Sequence, residues 1–487
     1  MAQRISLTTS IITLVLVGAN LSAQTIRIDH FMEQVQQNHP LFGREALSPI
    51  IESEVRDGYL GGQNAVLQFS PYYLDQRPLA LSAFTPTRIS QTSAGGSLEK
   101  PFWSTGGRLS LGWTSDFTEQ VIKPIDILGV SITPPPEFYQ NALALTYTQP
   151  LMQNFRGSLD RLGYEVSQYT VRLAKTRSLE NQETLLLEMG LKFIDWVVLT
   201  EQRNIAAGRL DLLRQQLEQV TSKRKANLVD RVDVLRSEDA LRLAEQGTVL
   251  VEAQWLAKQA ELAVLSGSTA LYEQTPDLDL YSRVERPAVA AYLERLKAQS
   301  RPLNMLSIRR DLLLRQEQGL VELTRPQLFL SSQLSLKSGA PEFDNSMSLN
   351  KSDAGLFLQF RYPLGNDKAR SDVRKVRLQS RQLDYERGEI LLALEAALRS
   401  LLIQAEHMEQ VLTLNVGQIE TARQRTQAEL DRYNQGRGDL TFVLQGQDNE
   451  ERAALSYAEN AANYHRLNLQ IRALMDELLT SPEEDQP

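Results

Sequence analysis

Two short turns of this chain hold most of its candidate chemistry, because each places acidic residues at the start of a helical pattern. Asp230 and Asp439 occupy positions that suit helix N-caps, where a carboxylate accepts hydrogen bonds from free N–H groups. Gly436 and Gly438 supply the turn before Asp439. Asp233 falls in the first turn of its helix, where an acid complements the helix dipole. These residues predict capping and local electrostatics rather than bond-making chemistry.

Other signs of a reactive centre are missing from the sequence. The chain has no cysteine and four histidines, which are scattered singly at His30, His39, His407 and His465. It has no nucleophile elbow, phosphate-binding loop or zinc spacing. We therefore predict no enzyme, no metal site and no cofactor. The formal net charge of −8 also argues against a nucleic-acid partner.

Each turn ends a long proline-free run that predicts a helix, over residues 158–223 and 368–434. In the second run apolar residues step by three and four, as at Leu391, Leu394 and Leu398, which is typical of a coiled-coil seam. A helix of that length spans roughly 100 Å and needs partners of similar length. Pairs of shorter helices placed end to end would match it. They are predicted over residues 26–60, 231–266, 288–323 and 440–479.

Apolar and polar residues alternate in two regions, residues 64–149 and 327–362, which predicts strands with one apolar face. Pro150 and Pro363 each end the last strand of their region, because proline cannot continue a ladder. The connection between strands is much longer in the first region. There the alternating run Arg108–Thr114 indicates an extra hairpin, which we expect on the extracellular side, either capping a barrel or binding an outside partner.

The order helix, strands, long helix, turn and helix occurs twice, which indicates an internal duplication. We place the first repeat at residues 24–266 and the second at 288–479, with a connector at 267–287. Each repeat thus predicts two strands and two helical staves of full length.

Both termini predict segments outside the repeats. Residues 1–23 are typical of a secretory signal peptide, with Arg4, a short apolar core, and small residues for cleavage after Ala19 or Ala23. An N-terminal membrane helix is the alternative, but the apolar run is short for one. Residues 480–487 are expected to be a disordered tail.

Four strands in one chain are too few to close a membrane barrel. We predict a mostly α-helical fold with a β membrane domain, internally duplicated. Its long α-helical barrel carries four strands per protomer, which complete a 12-stranded β-barrel in a homotrimer. A soluble sandwich, in which the apolar strand faces meet, is the alternative.

The repeat order and four segments resemble the TolC-like outer-membrane efflux proteins over residues 26–479. The segments are NALALTYTQPLMQNFRG and GLFLQFRYPLGNDKARSDV near the strand ends, and KANLVDRVDVLRSED and NQGRGDLTFVLQGQD at the turns. The resemblance implies a homotrimeric barrel in outer-membrane lipid, continued by a helical tunnel through the periplasm. It also implies export of small molecules or proteins together with a periplasmic adaptor and an inner-membrane pump.

The resemblance also assigns roles to the two turns, which in this family close the periplasmic entrance and contact the adaptor. Asp233 matches an acidic position of the first turn, and three copies would form a negative ring that favours cations. Tyr433 matches the tyrosine that begins the second turn, as a gate latch or as seam packing. Phe442 and Gln445 stand where well-known members have acids. We therefore expect a thinner charge ring and only weak block of the entrance by cations.

One other function competes with an outer-membrane channel. A periplasmic coiled-coil structural or adaptor protein without a pore would explain the long helices. It would not explain amphipathic strands at matched places in both halves of the chain. We therefore expect a channel in the outer membrane that extends into the periplasm.

Overall fold

The computed structural model describes residues 24–79, 85–122, 124–127, 130–132 and 135–479. The predicted signal peptide and the predicted C-terminal tail lie outside the described residues. Among the helices in the described part of the chain, none is both long enough and apolar enough to span a membrane.

Two helices are far longer than the others, as the two proline-free runs predicted. The helices are α1 (Ile28–Asn38), α2 (Pro40–Gly58), α3 (Leu162–Lys225), α4 (Arg231–Ser266), α5 (Val289–Gln299), α6 (Arg301–Glu322), α7 (Phe343–Ser346), α8 (Asp367–Asn434) and α9 (Leu440–Leu474). The helix predicted over residues 26–60 is split at His39, whose backbone is extended. The cause is Pro40, because the residue before a proline avoids the helical conformation.

The strands form one large antiparallel sheet and two short ribbons. They are β1 (Gln24–Arg27), β2 (Val66–Phe69), β3 (Tyr72–Gln76), β4 (Arg88–Phe102), β5 (Gly107–Val121), β6 (Ile125–Ile127), β7 (Val130–Ile132), β8 (Glu137–Pro150), β9 (Gln274–Asp277), β10 (Gln327–Ala340) and β11 (Lys351–Arg361). The large sheet has seven strands in the order β11-β10-β8-β5-β4-β2, with β3 following β2 along β4. The sheet is therefore six strands wide.

The strand register aligns leucines in one row across the sheet. Leu67 pairs with Leu98 and Leu98 with Leu111. Leu111 pairs with Leu145, which in turn pairs with Leu334. Paired residues of neighbouring strands lie on the same face, so this row forms an apolar stripe across five strands of that face. The residues that alternate with the row on the opposite face are Gln68, Ser97, Glu99, Ser110, Thr146 and Gln333.

The observed sheet is wider than the four strands per chain that the sequence predicted. The run Arg108–Thr114 belongs to β5, in the interior of the sheet between β4 and β8, and not to a separate extracellular hairpin. Its partner β4 was missed because Ala94, Gly95 and Gly96 interrupt the apolar alternation. Gly96 pairs with Trp113 of β5, so the bulky side chain of that pair is on β5.

Contacts within the chain divide it into two compact units. The helical unit contains Gln182–Glu294 and Ala396–Pro487 with the chain up to Gly43, and the strand unit contains Arg44–Asn181 and Arg295–Glu395. The long helices α3 and α8 each contribute residues to both units.

Large apolar side chains form the core of the helical unit. The rings of Phe31 in α1 and Phe193 in α3 lie 5.2 Å apart, and those of Trp196 in α3 and Trp255 in α4 lie 6.2 Å apart. Tyr464 brings α9 into the same cluster. Strand β9, from the predicted connector, pairs in parallel with β1. This unit therefore encloses its own apolar core.

The two predicted strand-to-helix joints lie in the strand unit. Pro150 is the last residue of β8 and pairs with Phe329 of β10. Pro363 follows the end of β11, and α8 begins shortly afterwards. Both prolines therefore stand where a strand ladder stops, as their missing N–H requires.

Candidate functional site

The turn between α3 and α4 ends one long helix and starts a shorter one. Asn227 has a left-handed backbone with φ of 57°, and the N–H of Leu228 donates to the carbonyl of Lys223 at 2.9 Å. Asp230 is the N-cap residue of α4, but its side chain makes no capping hydrogen bond among the described residues. Asp233 lies in the first turn of α4. We call this segment, residues 223–236, the first tip.

The turn between α8 and α9 has closely similar geometry. Gly436 has φ of 71°, and the N–H of Arg437 donates to the carbonyl of Arg432 at 2.9 Å. A Cβ on Gly438 would lie 2.9 Å from the backbone nitrogen of Tyr433, so only glycine fits there. We call residues 432–445 the second tip. Two separate parts of the sequence thus end their long helices in the same way, as a duplication requires.

Asp439 caps α9 through its side chain. Its Oδ1 accepts a hydrogen bond from the backbone N–H of Thr441 at 2.7 Å. The side chain of Thr441 and this backbone hydrogen bond hold the pKa of Asp439 below its ordinary value, and the nearby Arg236 contributes in the same direction. The carboxylate therefore stays charged at neutral pH.

One arginine joins the two tips. Nη1 of Arg236 lies 3.3 Å from Oδ1 of Asp233 in the first tip and 3.3 Å from Oδ1 of Asp439 in the second. Asp233 is only 20% exposed beside it. The negative charge that the sequence assigned to Asp233 is therefore partly balanced within the same chain.

Tyr433 lies in a small apolar cluster between the tips. It packs against Val220, Leu440 and Val443, which are buried. Its hydroxyl is buried and has no hydrogen-bond partner in the described part of the chain. Burial raises the pKa of Tyr433, and the negative charges of two aspartates nearby raise it further. The phenol is therefore neutral at physiological pH and fixed mainly by packing.

A cation covers the Tyr433 ring. Nζ of Lys223 lies 4.3 Å from the ring centroid and donates to Oδ1 of Asn434 at 2.9 Å. A lysine over an aromatic face is favourable through the ring quadrupole. This contact forms a second link between the tips, since Lys223 lies in the last turn of α3 and Tyr433 in the last turn of α8.

Most of the predicted tip residues surround one open groove of about 520 Å³. The lining includes Asp233, Tyr433, Gly436, Gly438, Asp439 and Phe442. Phe442 is 54% exposed, so its ring faces solvent in the single chain. Gln445 is exposed but does not line the groove, and neither does Asp230. Arg432 and Arg437 bring positive charge to the lining of the groove, and Arg236, which sequence reasoning missed, lies against Asp233 and Asp439.

We compared the chain with known protein families, protein sequences and solved structures. No protein-family model matches the chain, and no curated protein sequence matches it. Solved structures do match over almost the whole length, with TM-scores near 0.65. This chain has the TolC-like fold.

Three of the matching structures illustrate the likeness. The outer membrane protein VceC of Vibrio cholerae matches with a TM-score of 0.65 at 10% identity, over 92% of this chain and 96% of that chain. The outer-membrane channel OprN matches with a TM-score of 0.65 at 14% identity, over 92% and 90%. The open MtrE outer membrane channel of Neisseria gonorrhoeae matches with a TM-score of 0.63 at 12% identity, over 93% and 89%. At such identities the likeness concerns the fold.

Within this TolC-like fold, a second groove of about 590 Å³ lies between α3, α4 and α9. Arg209 is almost fully buried there and contacts Gln447 and Asp448 at 2.6 Å each. Burial raises the pKa of the neighbouring Glu451. Sequence reasoning missed this cluster, because Arg209 lies more than 200 positions before its partners and forms no local motif with them.

Proposed function

We propose that this chain is the protomer of an outer-membrane channel that exports small molecules or proteins across the periplasm and the outer membrane. The observation that carries the proposal is the exposed apolar face of the large sheet. Leu67 is 78% exposed and Leu334 is 49% exposed, at opposite ends of the leucine row. Soluble monomers rarely expose a continuous apolar surface of this kind.

The opposite face of the same sheet suits water. Beside the leucine row, its side chains are mostly polar or charged, as at Ser110, Thr146 and Gln333. Strands with an apolar outer face and a polar inner face are the pattern of membrane barrels that surround an aqueous lumen. The sheet would therefore meet lipid with its leucine row and solvent with its reverse face.

The oligomer and its partners form the finer part of the proposal. A homotrimer would supply enough strands to close a barrel and enough long helices to continue it as a tunnel. Export would then use a periplasmic adaptor and an inner-membrane pump, as the resemblance implies. The TolC-like fold supports this reading, because the solved structures with that fold include outer-membrane channels.

We assign the periplasmic entrance of the channel to the two tips. Asp233 would face its copies as a negative ring, but its pairing with Arg236 reduces the charge available to a cation. Block by multivalent cations from the periplasmic side should therefore be weak. Strong block that persists unchanged in Asp233→Ala would contradict this role.

Heat-modifiable trimers in outer-membrane fractions test the proposal, with a matched pair of variants. Leu145 and Thr146 are adjacent in β8 and lie on opposite faces. Leu145→Arg puts a charge toward lipid, at a cost of about 2–4 kcal/mol per chain near the membrane midplane, and should reduce assembled trimer strongly. Thr146→Arg should leave the amount of trimer nearly unchanged.

A periplasmic scaffold would behave differently in the same experiment. Wild-type protein would then appear in the soluble periplasmic fraction. Equal yields of the two variants would also overturn the proposed orientation of the sheet.

A further inference from the structure

We infer that the β4–β5 hairpin is part of the membrane wall, so that three copies of this six-wide sheet close a barrel of 18 strands rather than 12. This inference rests on the proposed trimeric channel and specifies its outer part. At each of its two edges, the sheet would pair with another copy of this chain.

The hairpin is paired along its whole length. β4 and β5 pair from Arg88 with Val121 to Phe102 with Gly107. β5 continues into the sheet by pairing with β8, from Arg108 with Thr148 onward. β4 and β5 have 15 residues each, and β8 and β10 have 14. All four exceed the roughly 9–11 residues that a tilted strand needs to cross a bilayer.

The hairpin also continues the two faces of the sheet without a change of phase. Leu98 and Leu111 fill the leucine row between Leu67 and Leu145. On the reverse face, Ser110 pairs with Thr146. A hairpin standing in water above the membrane would have no reason to keep this register. The pattern therefore indicates that β4 and β5 meet the same two media as their neighbours.

The turn of the hairpin is fixed at the strand-to-helix joint after β8. A Cβ on Gly157 would lie 2.0 Å from the carbonyl oxygen of Trp103, so the hairpin turn touches the backbone of the joint directly. Nη1 of Arg161 donates to the same Trp103 oxygen at 2.8 Å. The hairpin thus begins at the level where β8 ends, and it runs the full height of the sheet.

Both edge strands of the sheet can pair with strands of another chain. β2 and β3 form one edge and β11 the other, and nearly all of their residues are exposed. Long apolar edges of this type invite pairing with another chain. Every neighbouring pair in the sheet is antiparallel. Because the sheet has six strand positions, an even number, its two edge strands run in opposite directions. β11 of one copy would therefore lie antiparallel to β2 and β3 of the next copy.

The apolar face reaches both edges, which favours a second copy over any other partner. Leu67 carries it on β2, and Leu356 and Leu358 carry it on β11. Closure by identical copies would continue the same face around the ring. Because barrel diameter grows roughly in proportion to strand number, this barrel would be about 1.5-fold wider than one of 12 strands.

Single cysteines test the hairpin, since the chain has none of its own. Ser110→Cys and Leu111→Cys probe the two faces of β5, and Gln333→Cys and Leu334→Cys are the matched pair on β10. Each variant is assembled as full-length trimer in liposomes and treated with a water-soluble maleimide. We expect Ser110→Cys to react several-fold faster than Leu111→Cys, with the same ratio for the β10 pair.

Equal labelling at 110 and 111, with alternation kept at 333 and 334, would place the hairpin outside the wall and overturn the inference. Loss of alternation at both pairs, or failure to obtain membrane trimers, would instead overturn the proposed function. A reconstruction of unmodified trimers in lipid nanodiscs gives a second readout that needs no substitution. Eighteen strands are expected, and 12 strands or a dimer would contradict the inference.

Discussion

The helical unit buries its large apolar residues, whereas the strand unit exposes many of its own. In the helical unit, Trp196 and Phe193 are fully buried in a core that the unit itself provides. In the strand unit, leucines of comparable apolarity form a row on an open face. The contrast indicates that the first region is complete within one chain, whereas the second needs another medium to cover it.

Two tyrosines repeat this contrast for polar groups within the helical unit. The hydroxyl of Tyr464 donates to Glu409 at 2.8 Å and accepts from the N–H of Val284 at 2.9 Å. The hydroxyl of Tyr433 is buried without a partner among the described residues. The core thus supplies partners for the hydroxyl of Tyr464, whereas the tip supplies none for the hydroxyl of Tyr433 in the described part of the chain.

The largest expected effect separates the core from the sheet. Trp196→Ala should lower the free energy of unfolding by about 3–5 kcal/mol, because it removes a buried aromatic side chain and leaves a cavity. Leu334→Ala should change it by less than about 0.5 kcal/mol in detergent, because that side chain is already exposed. Denaturant titration followed by helical circular dichroism measures both. Similar losses in the two variants would mean that the leucine face is a core surface.

A second pair sharpens the comparison between the tyrosines. Tyr464→Phe should cost about 1–3 kcal/mol, since it leaves a buried acceptor and donor without their partner. Tyr433→Phe should be neutral or stabilising by up to about 1 kcal/mol, since it removes an unpaired hydroxyl. The same denaturant titration reports both values. A larger loss in Tyr433→Phe than in Tyr464→Phe would show that the tip hydroxyl does have a partner.

Alkaline pH should loosen the tip through Tyr433. Burial and the nearby aspartates raise its pKa above the ordinary 10.0, so the unfolded phenol loses its proton first. The contribution of Tyr433 to the stability of the folded chain is therefore complete below pH 10. It declines as the pH rises from there toward the pKa of Tyr433 in the folded state. After correction for the faster intrinsic exchange at high pH, the protection of amides at the α8–α9 turn should therefore fall above about pH 10. In Tyr433→Phe this loss of protection should be absent, and its persistence would assign it to another group.

The smallest effect on stability concerns the arginine between the tips. Arg236→Gln should cost less than about 1 kcal/mol, because its ion pairs are partly exposed. It should also free Asp233 and Asp439 and so strengthen the block of channel current by multivalent cations. Arg214→Gln, which removes an exposed pair with Asp211 in α3, is the matched control. Equal block in wild type and Arg236→Gln would contradict a charge-balancing role.

Several features of the fold were predictable because their signals are local. The long helices follow from unbroken runs with three-four spacing, and the cap at Asp439 follows from its place after Gly436 and Gly438. The end of β8 follows from Pro150. Each of these depends on residues close together in the chain.

Features that depend on distant partners were missed. β4 has small residues in place of apolar alternation, so its position follows from pairing with β5 and not from its own pattern. Arg236 and Asp439 are 203 positions apart, and no local signal joins them. The pairing of charges between the two tips therefore follows from the folded structure and not from the sequence.

Planar-bilayer recording of purified wild-type trimers is the most direct test of the channel. The protein should produce discrete, lasting current steps of uniform size, with little block by multivalent cations added on the tip side. Correctly assembled, heat-modifiable trimers that insert without producing any current would contradict the account.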